Sequence, residues 1–91
     1  MKARLLRIEG RVQGVGYRDW LIGIARRAGV SGWVRNRTDG SVEALLSGDE
    51  AAVGQVLLDC RRGPPLARVD RITESFTDPP EEPGFVRRPT S

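Results

Sequence analysis

One glycine-rich stretch near the start of the chain combines residue types that bind anions. Residues 10–18 read GRVQGVGYR, with three glycines in seven residues ahead of Arg18. Glycine tolerates backbone angles that turn successive N–H groups toward one point. A helix starting beside Arg18 adds unpaired N–H donors, and a guanidinium grips phosphate through two hydrogen bonds. The stretch indicates a phosphate site, although turn glycines and a solvated arginine also account for it.

Two familiar nucleotide-binding patterns do not fit this stretch. A P-loop requires a second glycine five positions after the first, then Lys and Ser or Thr, whereas Val15 stands five positions after Gly10. A dinucleotide fingerprint requires Gly or Ala three positions after its second glycine, where this chain has Asp19. The sequence therefore does not support nucleotide binding.

A second polar stretch lies at the predicted end of a short strand. Residues 32–40 read GWVRNRTDG, with Asn36 at the strand end and a Thr-Asp-Gly turn after it. An asparagine amide donates from one atom and accepts at another, so Asn36 is able to position a water molecule. Asparagine also opens hairpin turns, which explains the residue without any function. Trp33 is interpreted as a core or covering residue rather than a substrate platform.

Several catalytic residue types are missing from the sequence. It contains no histidine and a single cysteine, Cys60, which excludes a Ser-His-Asp triad and a His/Cys zinc site. The acidic residues form no catalytic pair: Asp39 and Glu43 flank a turn and a strand, and Asp49 and Glu50 suit a helix start. We therefore predict no metal and no cofactor.

Composition and charge limit the class of protein. The 91 residues suffice for one small domain, and 38% apolar with 30% charged residues is typical of a globular protein. Fifteen basic residues, of which only Lys2 is a lysine, oppose twelve acidic ones. The small net charge of +3, with acids dispersed along the chain, argues against a nucleic-acid partner. No apolar run could span a membrane, no signal peptide is expected at residues 1–10, and one cysteine suits a reducing, cytoplasmic setting.

Hydrophobic periodicity predicts six elements in the order strand, helix, strand, strand, helix, strand. The predicted strands are at 3–9, 32–36, 41–46 and 68–76. A first helix begins near Arg18, with an apolar stripe from Tyr17 to Ala28, and Gly29 stops it. A second helix lies between a Ser47–Glu50 capping box and Gly63-Pro64-Pro65. This βαββαβ order is the split βαβ, or ferredoxin-like, pattern. We therefore predict an α+β sandwich with an antiparallel sheet and two helices on one face.

Three details refine this prediction. The uneven spacing of Val69, Ile72 and Phe76 predicts a bulge in the strand at 68–76. Phe85 and Val86 allow a short fifth strand near the C-terminus. Cys60 falls on the apolar stripe of the second helix and is predicted to be a core residue. We expect residues 1–91 to form one domain with an ordered core over about 3–88.

The two polar stretches together resemble a known family. GRVQGVGYR followed by GWVRNRTDGSVE is similar to the paired signature of the acylphosphatases, and the likeness runs from about Arg4 through Phe85, including the RRGPP segment. Two motifs at a matching separation are far more specific than either alone. The resemblance favours the functional interpretation of both stretches. It implies an enzyme that hydrolyses the carboxyl-phosphate bond of acyl phosphates.

The resemblance also implies roles for particular residues. In that family an arginine and loop amides hold the phosphoryl group, and an asparagine orients the attacking water; these roles fall on Arg18 and Asn36. The implied amide cradle consists of Gln13, Gly14, Val15, Gly16 and Tyr17. Tyr17 stands where Phe is common, and Arg37 stands where a small or apolar residue is frequent. We expect Arg37 to point to solvent.

A mechanism and partners follow from the same resemblance. The substrate is a small-molecule acyl phosphate, inorganic phosphate is product and competitive inhibitor, and water attacks without a metal or covalent intermediate. Because a carboxyl-phosphate has a good leaving group, positioning and charge stabilisation suffice for the reaction. We expect a monomer that binds neither nucleic acid nor membrane.

Two other classes of function remain as alternatives. RNA-recognition modules share this order of strands and helices, but they stack bases on aromatic residues of central strands, and the five aromatics here form no such motif. The other alternative is a non-catalytic, accessory anion-binding domain of the acylphosphatase type. Such domains also occur inside larger maturation enzymes. Turnover of an acyl phosphate distinguishes the enzyme from both.

Overall fold

The computed structural model describes residues 2–91, which form strands and helices in the predicted order. The elements are β1 (Ala3–Arg11), α1 (Tyr17–Ala28), β2 (Ser31–Asn36), β3 (Val42–Ser47), α2 (Glu50–Arg62), β4 (Arg68–Thr77) and β5 (Phe85–Arg87). The first six confirm the predicted βαββαβ order. The seventh is the short C-terminal strand that Phe85 and Val86 allowed.

The five strands form one sheet in the order β4-β1-β3-β2-β5. The pairs β1–β3, β1–β4 and β2–β3 are antiparallel, as predicted. The short fifth strand, whose direction was not predicted, lies parallel to β2, so the whole sheet is mixed. The reason is topological: β4 and β5 occupy opposite edges and run in opposite directions. Because β2 also runs opposite to β4, β5 and β2 run in the same direction and pair as parallel strands.

Both helices pack on one face of the sheet, where the main core lies. Its buried side chains include Leu6 and Ile8 of β1, Val42, Ala44 and Leu46 of β3, Leu21 and Ala25 of α1, and Val53, Val56 and Cys60 of α2. The alternation of β1 and β3 and the helical spacing of α1 and α2 direct these residues inward. Cys60 is fully buried, as predicted.

The opposite face of the sheet carries a smaller apolar cluster. Ala3, Trp33 and Leu45 form its buried part. The guanidinium groups of Arg35 and Arg88 lie 5.1 and 4.8 Å from the Trp33 ring centroid, within the range of cation–π attraction. Trp33 is therefore a covered core residue and is not a free aromatic surface for stacking bases.

Helix α2 begins differently from the prediction. The Ser47–Glu50 capping box is wrong, because β3 continues through Ser47 and the helix starts at Glu50. The N-cap is Asp49, whose carboxylate accepts a hydrogen bond of 3.2 Å from the Ala52 amide. Aspartate is as good an N-cap as serine, and pairing in the sheet commits Ser47 to β3. The helix ends at Arg62, before Gly63, as predicted.

The edge strand β4 contains the predicted bulge. Its register with β1 shifts between Glu9 and Gly10, so that Asp70 has no partner. Ile72 is half-buried, but Phe76 is 68% exposed, with the Arg4 guanidinium 5.9 Å from its ring centroid. On this edge strand Phe76 therefore lies at the surface beside Arg4, and it does not belong to the core.

Beyond β5 the chain continues alongside β2. The Arg88 amide donates to the Val34 carbonyl over 2.9 Å, and the Ser91 amide donates to the Asn36 carbonyl over 3.2 Å. The Arg37 side chain also binds the Ser91 oxygen over 2.9 Å through Nε. These contacts tie the C-terminal segment to the strand that ends in Asn36.

Candidate active site

The start of α1 is shaped by two glycines in a left-handed backbone conformation. Gly14 has a φ of 74°, and Gly16, the N-cap of α1, has a φ of 79° and a ψ of 18°. Residues with a Cβ adopt this conformation only at a cost of about 1–2 kcal/mol. Gly16 offers no side chain to cap the helix. The loop can therefore turn sharply into α1 while the first turn of the helix stays open.

The amides around this turn form a set of donors without protein partners. Within residues 2–91, no backbone amide from 13 to 19 donates to a protein acceptor, and the first bond of the helix runs from Trp20 N to Gly16 O, at 3.1 Å. Free amides at a helix start attract negative charge, because the helix dipole places partial positive charge there. A loop that presents several such amides together, called here the cradle, has the geometry of an anion-binding site.

Arg18 stands in the first turn of the same helix. A cation at this end opposes the helix dipole by about 0.3–1 kcal/mol, whereas Arg26 and Arg27 occupy the favourable last turn. No hydrogen bond or ion pair joins the Arg18 guanidinium to another group in the described residues. A bound anion would supply the partner that the protein does not.

Asn36 is the last residue of β2 and pairs with Val42 of β3. Its Oδ1 atom is buried and has no hydrogen-bond partner within residues 2–91. A buried acceptor left unsatisfied costs about 1–3 kcal/mol, so such an atom calls for an explanation in ligand or water binding. An acceptor of this kind can hold one hydrogen of a water molecule.

The Gln13 side chain fixes the loop against the β2–β3 hairpin. Its Nε2 atom donates to the carbonyl oxygens of Arg37 and Ser41, both over 2.8 Å. These two residues close the hairpin through the 2.8 Å bond from Arg37 N to Ser41 O. Gln13 therefore holds the cradle at a set distance from Asn36. Sequence reasoning assigned Gln13 only a backbone amide and missed this clamp.

One pocket of about 130 Å³ brings most of the predicted residues together. Its lining includes Gln13, Gly14, Gly16, Tyr17, Arg18 and Asn36. Val15 is the exception among the predicted residues, because its side chain packs against the core. The pocket has room for only a few water-sized groups, and its donors, its guanidinium and its free amide oxygen match a small anion and a water.

The pocket also contains residues that the sequence did not indicate. Val12, Asp19 and Arg87 complete its lining. Arg87 Nη2 donates a hydrogen bond to Asp19 Oδ1 and thereby joins β5 to the first turn of α1. Nothing in the sequence assigned Asp19 a place in the site. In the sequence, Arg87 was recognisable only as the residue that follows Phe85 and Val86 of the possible fifth strand. That position does not indicate that Arg87 lies beside α1.

Tyr17 anchors the start of α1 to the end of α2. Its hydroxyl donates to the Cys60 carbonyl over 2.7 Å in the core. That carbonyl lies four residues before Pro64, which has no N–H to donate, so the tyrosine hydroxyl supplies the missing donor. Burial raises the pKa of Tyr17 well above its usual value and raises the pKa of the Cys60 thiol to about 12. Both groups therefore stay protonated and serve structure.

Arg37 does not line the pocket. Its Nη1 atom lies 3.1 Å from a Glu43 carboxylate oxygen, and its Nε binds Ser91. We expected Arg37 to point to solvent. Its side chain is 37% exposed, but these partners hold it along the protein surface.

Three larger hollows lack the same convergence of donors. One of about 180 Å³ is lined by Trp33, Glu81, Glu82 and Arg88, so charges of both signs surround it. Another, of about 170 Å³, contains Arg7, whose guanidinium is already paired with Glu9 and Asp39. The third, of about 450 Å³, is an open depression beside Trp20, Pro64 and Pro65.

Residues 2–91 contain no group of three or more His, Cys, Asp and Glu placed to hold a metal. No helix in this range is long and apolar enough to cross a membrane.

A ferredoxin-like sandwich with an open anion cradle at the first strand–helix junction defines the class of molecule. The acylphosphatase family model matches residues 5–86. The chain is 59% identical over 90 residues to an acylphosphatase of Acidiphilium cryptum, covering 99% of each sequence. The chain belongs to the acylphosphatase family.

Solved structures agree with this assignment. The acylphosphatase of Bacillus subtilis superposes with a TM-score of 0.89 at 32% identity, covering 97% of this chain and 99% of that one. HypF of T. kodakarensis superposes with a TM-score of 0.85 at 33% identity, covering 97% of this chain but 12% of HypF. The same fold therefore stands alone in one protein and forms a small part of another.

Proposed function

We propose that this protein hydrolyses the carboxyl-phosphate bond of acyl phosphates, releasing a carboxylate and inorganic phosphate. Membership of the acylphosphatase family supports the reaction. The observation that carries the proposal is one small pocket lined both by Arg18, whose guanidinium has no partner among the described residues, and by Asn36, whose buried Oδ1 has no hydrogen-bond partner there. The two groups match the two things that hydrolysis must hold, a phosphoryl group and a water.

The phosphoryl group is bound by the cradle and Arg18. The free amides of Gln13, Gly14, Val15, Gly16 and Tyr17 and the two-pronged guanidinium surround its oxygens. In phosphoryl transfer, charge shifts among these oxygens as the bond to the leaving group lengthens. Donors already in place stabilise that charge without reorganisation, which is the largest contribution that such a site makes.

Asn36 positions the attacking water. Its Oδ1 accepts one hydrogen of the water and thereby turns an oxygen lone pair toward phosphorus. The pocket lining contains no histidine, and its one carboxylate, on Asp19, is bound to Arg87. The water's proton therefore passes to a phosphoryl oxygen of the substrate. The leaving carboxylate is stable enough to depart unprotonated, so the reaction proceeds in one step without a covalent intermediate or a metal.

The proposal also covers the oligomeric state, the cellular compartment and inhibition by inorganic phosphate. The proposal includes a monomer as the working form, in which Arg18 and Asn36 of the same chain line one pocket. Inorganic phosphate, the product, occupies the same cradle and competes with substrate. The buried free thiol of Cys60 suits a reducing compartment such as the cytoplasm.

A second candidate function is a non-catalytic anion-binding domain. It is favoured by the likeness to HypF, where the matched part is 12% of a larger chain. An accessory domain needs the cradle but has no need of the free acceptor on Asn36. The enzyme is the better explanation because it uses both groups.

Hydrolysis of benzoyl phosphate by the purified chain tests this choice. The enzyme hypothesis predicts turnover that survives EDTA and falls as inorganic phosphate is added. Binding of inorganic phosphate without any turnover by folded protein would instead support the accessory function. Turnover that the chelator abolishes would contradict the metal-free mechanism.

A further inference from the structure

Arg87 brings a second guanidinium to the pocket from a distant part of the chain. It lies on β5 opposite Val34 of β2, and it binds Asp19 in the first turn of α1. Its side chain is 44% exposed, and that of Asp19 is 77% exposed. The pair therefore stands at the solvent-facing rim of the pocket. The acyl part of a substrate extends beyond a pocket of about 130 Å³ that holds the phosphoryl group and a water, and this pair forms one side of the rim that it reaches.

The guanidinium of Arg87 retains unused donors. It carries five N–H groups in a planar fork, and its bond to Asp19 is the only hydrogen bond that it makes within residues 2–91. The remaining donors are able to bind a second carboxylate while Asp19 keeps its place. Arg18 is different: it has no carboxylate partner and stands with the free amides of the cradle, where the phosphoryl group binds.

We propose that Arg87 is a specificity-determining residue, which selects acyl phosphates whose acyl group carries a second negative charge. This inference rests on the proposed function. A neutral acyl group gains nothing from an ion pair at the rim, whereas a terminal carboxylate gains a charge-assisted hydrogen bond. Asp19 limits the preference, because its own charge repels that carboxylate and occupies part of the fork.

The test compares two substrates that differ at one end. Succinyl phosphate ends in a carboxylate, and butyryl phosphate, with the same number of carbons, ends in a methyl group. The measured quantity is the ratio of kcat/KM for succinyl phosphate to kcat/KM for butyryl phosphate. We expect Arg87→Gln to lower this ratio about fivefold, the size of one partly exposed ion pair. We expect Asp19→Asn to raise it.

Arg88→Gln is the matched control. Arg88 adjoins Arg87 and carries the same charge, but it stacks on Trp33 at the opposite face of the sheet. The Arg88→Gln substitution removes one positive charge at a neighbouring position in the sequence, so it reports any general effect of net charge on the ratio. We expect it to leave the ratio at the value of the unmodified protein.

The outcomes separate this inference from the proposed function. A ratio that falls in Arg87→Gln and not in Arg88→Gln supports the inference. If the unmodified protein hydrolyses both substrates and Arg87→Gln leaves the ratio unchanged, or Arg88→Gln lowers it equally, Arg87 is not a specificity residue and the proposed function stands. If the unmodified protein hydrolyses benzoyl phosphate but neither of these substrates, the inference is overturned and the proposed function stands; if it hydrolyses none of the three, both are overturned.

Discussion

The two helices of this protein begin in opposite ways. At the start of α2, the carboxylate of Asp49 accepts a hydrogen bond from Ala52 N, and Glu50 adds a negative charge in the first turn. At the start of α1, Gly16 provides no side-chain cap, and Arg18 adds a positive charge. The first arrangement stabilises a helix by about 1 kcal/mol or more, and the second forgoes that stabilisation.

The difference indicates what each helix start is for. α2 satisfies its own amides and has only a structural task. α1 leaves amides, a guanidinium and, across the pocket, the Oδ1 of Asn36 without partners. Sites that bind ligands often hold such unsatisfied groups at the expense of stability. The comparison therefore predicts that substitutions at the two helix starts separate cleanly into effects on turnover and effects on folding.

The largest expected effect comes from Arg18→Gln. Removing the one guanidinium that has no protein partner in the pocket should lower turnover of benzoyl phosphate about a thousandfold or more, the scale of an arginine that stabilises phosphoryl transfer. Phosphate affinity should fall with it. Steady-state kinetics check the prediction, and Arg27→Gln, in the last turn of the same helix, is the control for loss of charge. Turnover near that of the control would refute the assignment of Arg18.

Asn36→Ala should act on the chemical step alone. Losing one well-placed polar group of this kind raises the barrier by roughly 3 kcal/mol, or about a hundredfold in kcat. The phosphoryl cradle stays intact, so the inhibition constant for inorganic phosphate should barely change. A weaker phosphate complex with normal kcat would place Asn36 in binding rather than in water positioning.

Gly16→Ala and Gly29→Ala form a matched pair at the two ends of α1. Both glycines have positive φ, 79° and 71°, and an added Cβ meets no atom within 4 Å at either. Each variant should lose about 1–2 kcal/mol of unfolding free energy from backbone strain, measured by urea titration. Only the Gly16 variant should also lose phosphate affinity, because Gly16 lines the pocket and backbone strain there displaces the neighbouring amides. Equal phosphate affinity in the two variants would separate Gly16 from the site.

Asp49→Ala should have the smallest effect of the series. Removal of the α2 cap should cost about 1 kcal/mol of unfolding free energy and leave kcat and KM for benzoyl phosphate unchanged. Urea unfolding and steady-state kinetics on the same preparation check both parts. A change in KM would mean that the two helix starts are not independent.

Much of the fold was predictable because its signals are local. The alternation around Leu6 and Ile8, the helical stripe from Tyr17 to Ala28 and the Gly63 stop depend on neighbouring residues, and the structure confirms them. The capping residue of α2 was wrong because Ser47 and Asp49 are both competent N-caps. Pairing of β3 with its neighbours in the sheet, which no local pattern reveals, decides between them.

The parts of the site that depend on contacts between distant segments of the chain could not be predicted from the sequence. The motifs containing Arg18 and Asn36 identified residues that the structure places in one pocket. Gln13 was assigned through its backbone, since its side-chain contacts depend on where the hairpin closes. Arg87 was missed because its position beside Asp19 follows from the direction of β5, which was not predicted.

The most direct test of the open helix start is an amide nitrogen–proton NMR titration with inorganic phosphate. We expect the largest shifts at the amides of residues 13–19, with small changes at the start of α2. We also expect Arg18→Gln to abolish these shifts at the same phosphate concentrations. Large shifts elsewhere with residues 13–19 unmoved would contradict the claim that the uncapped end of α1 binds the phosphoryl group.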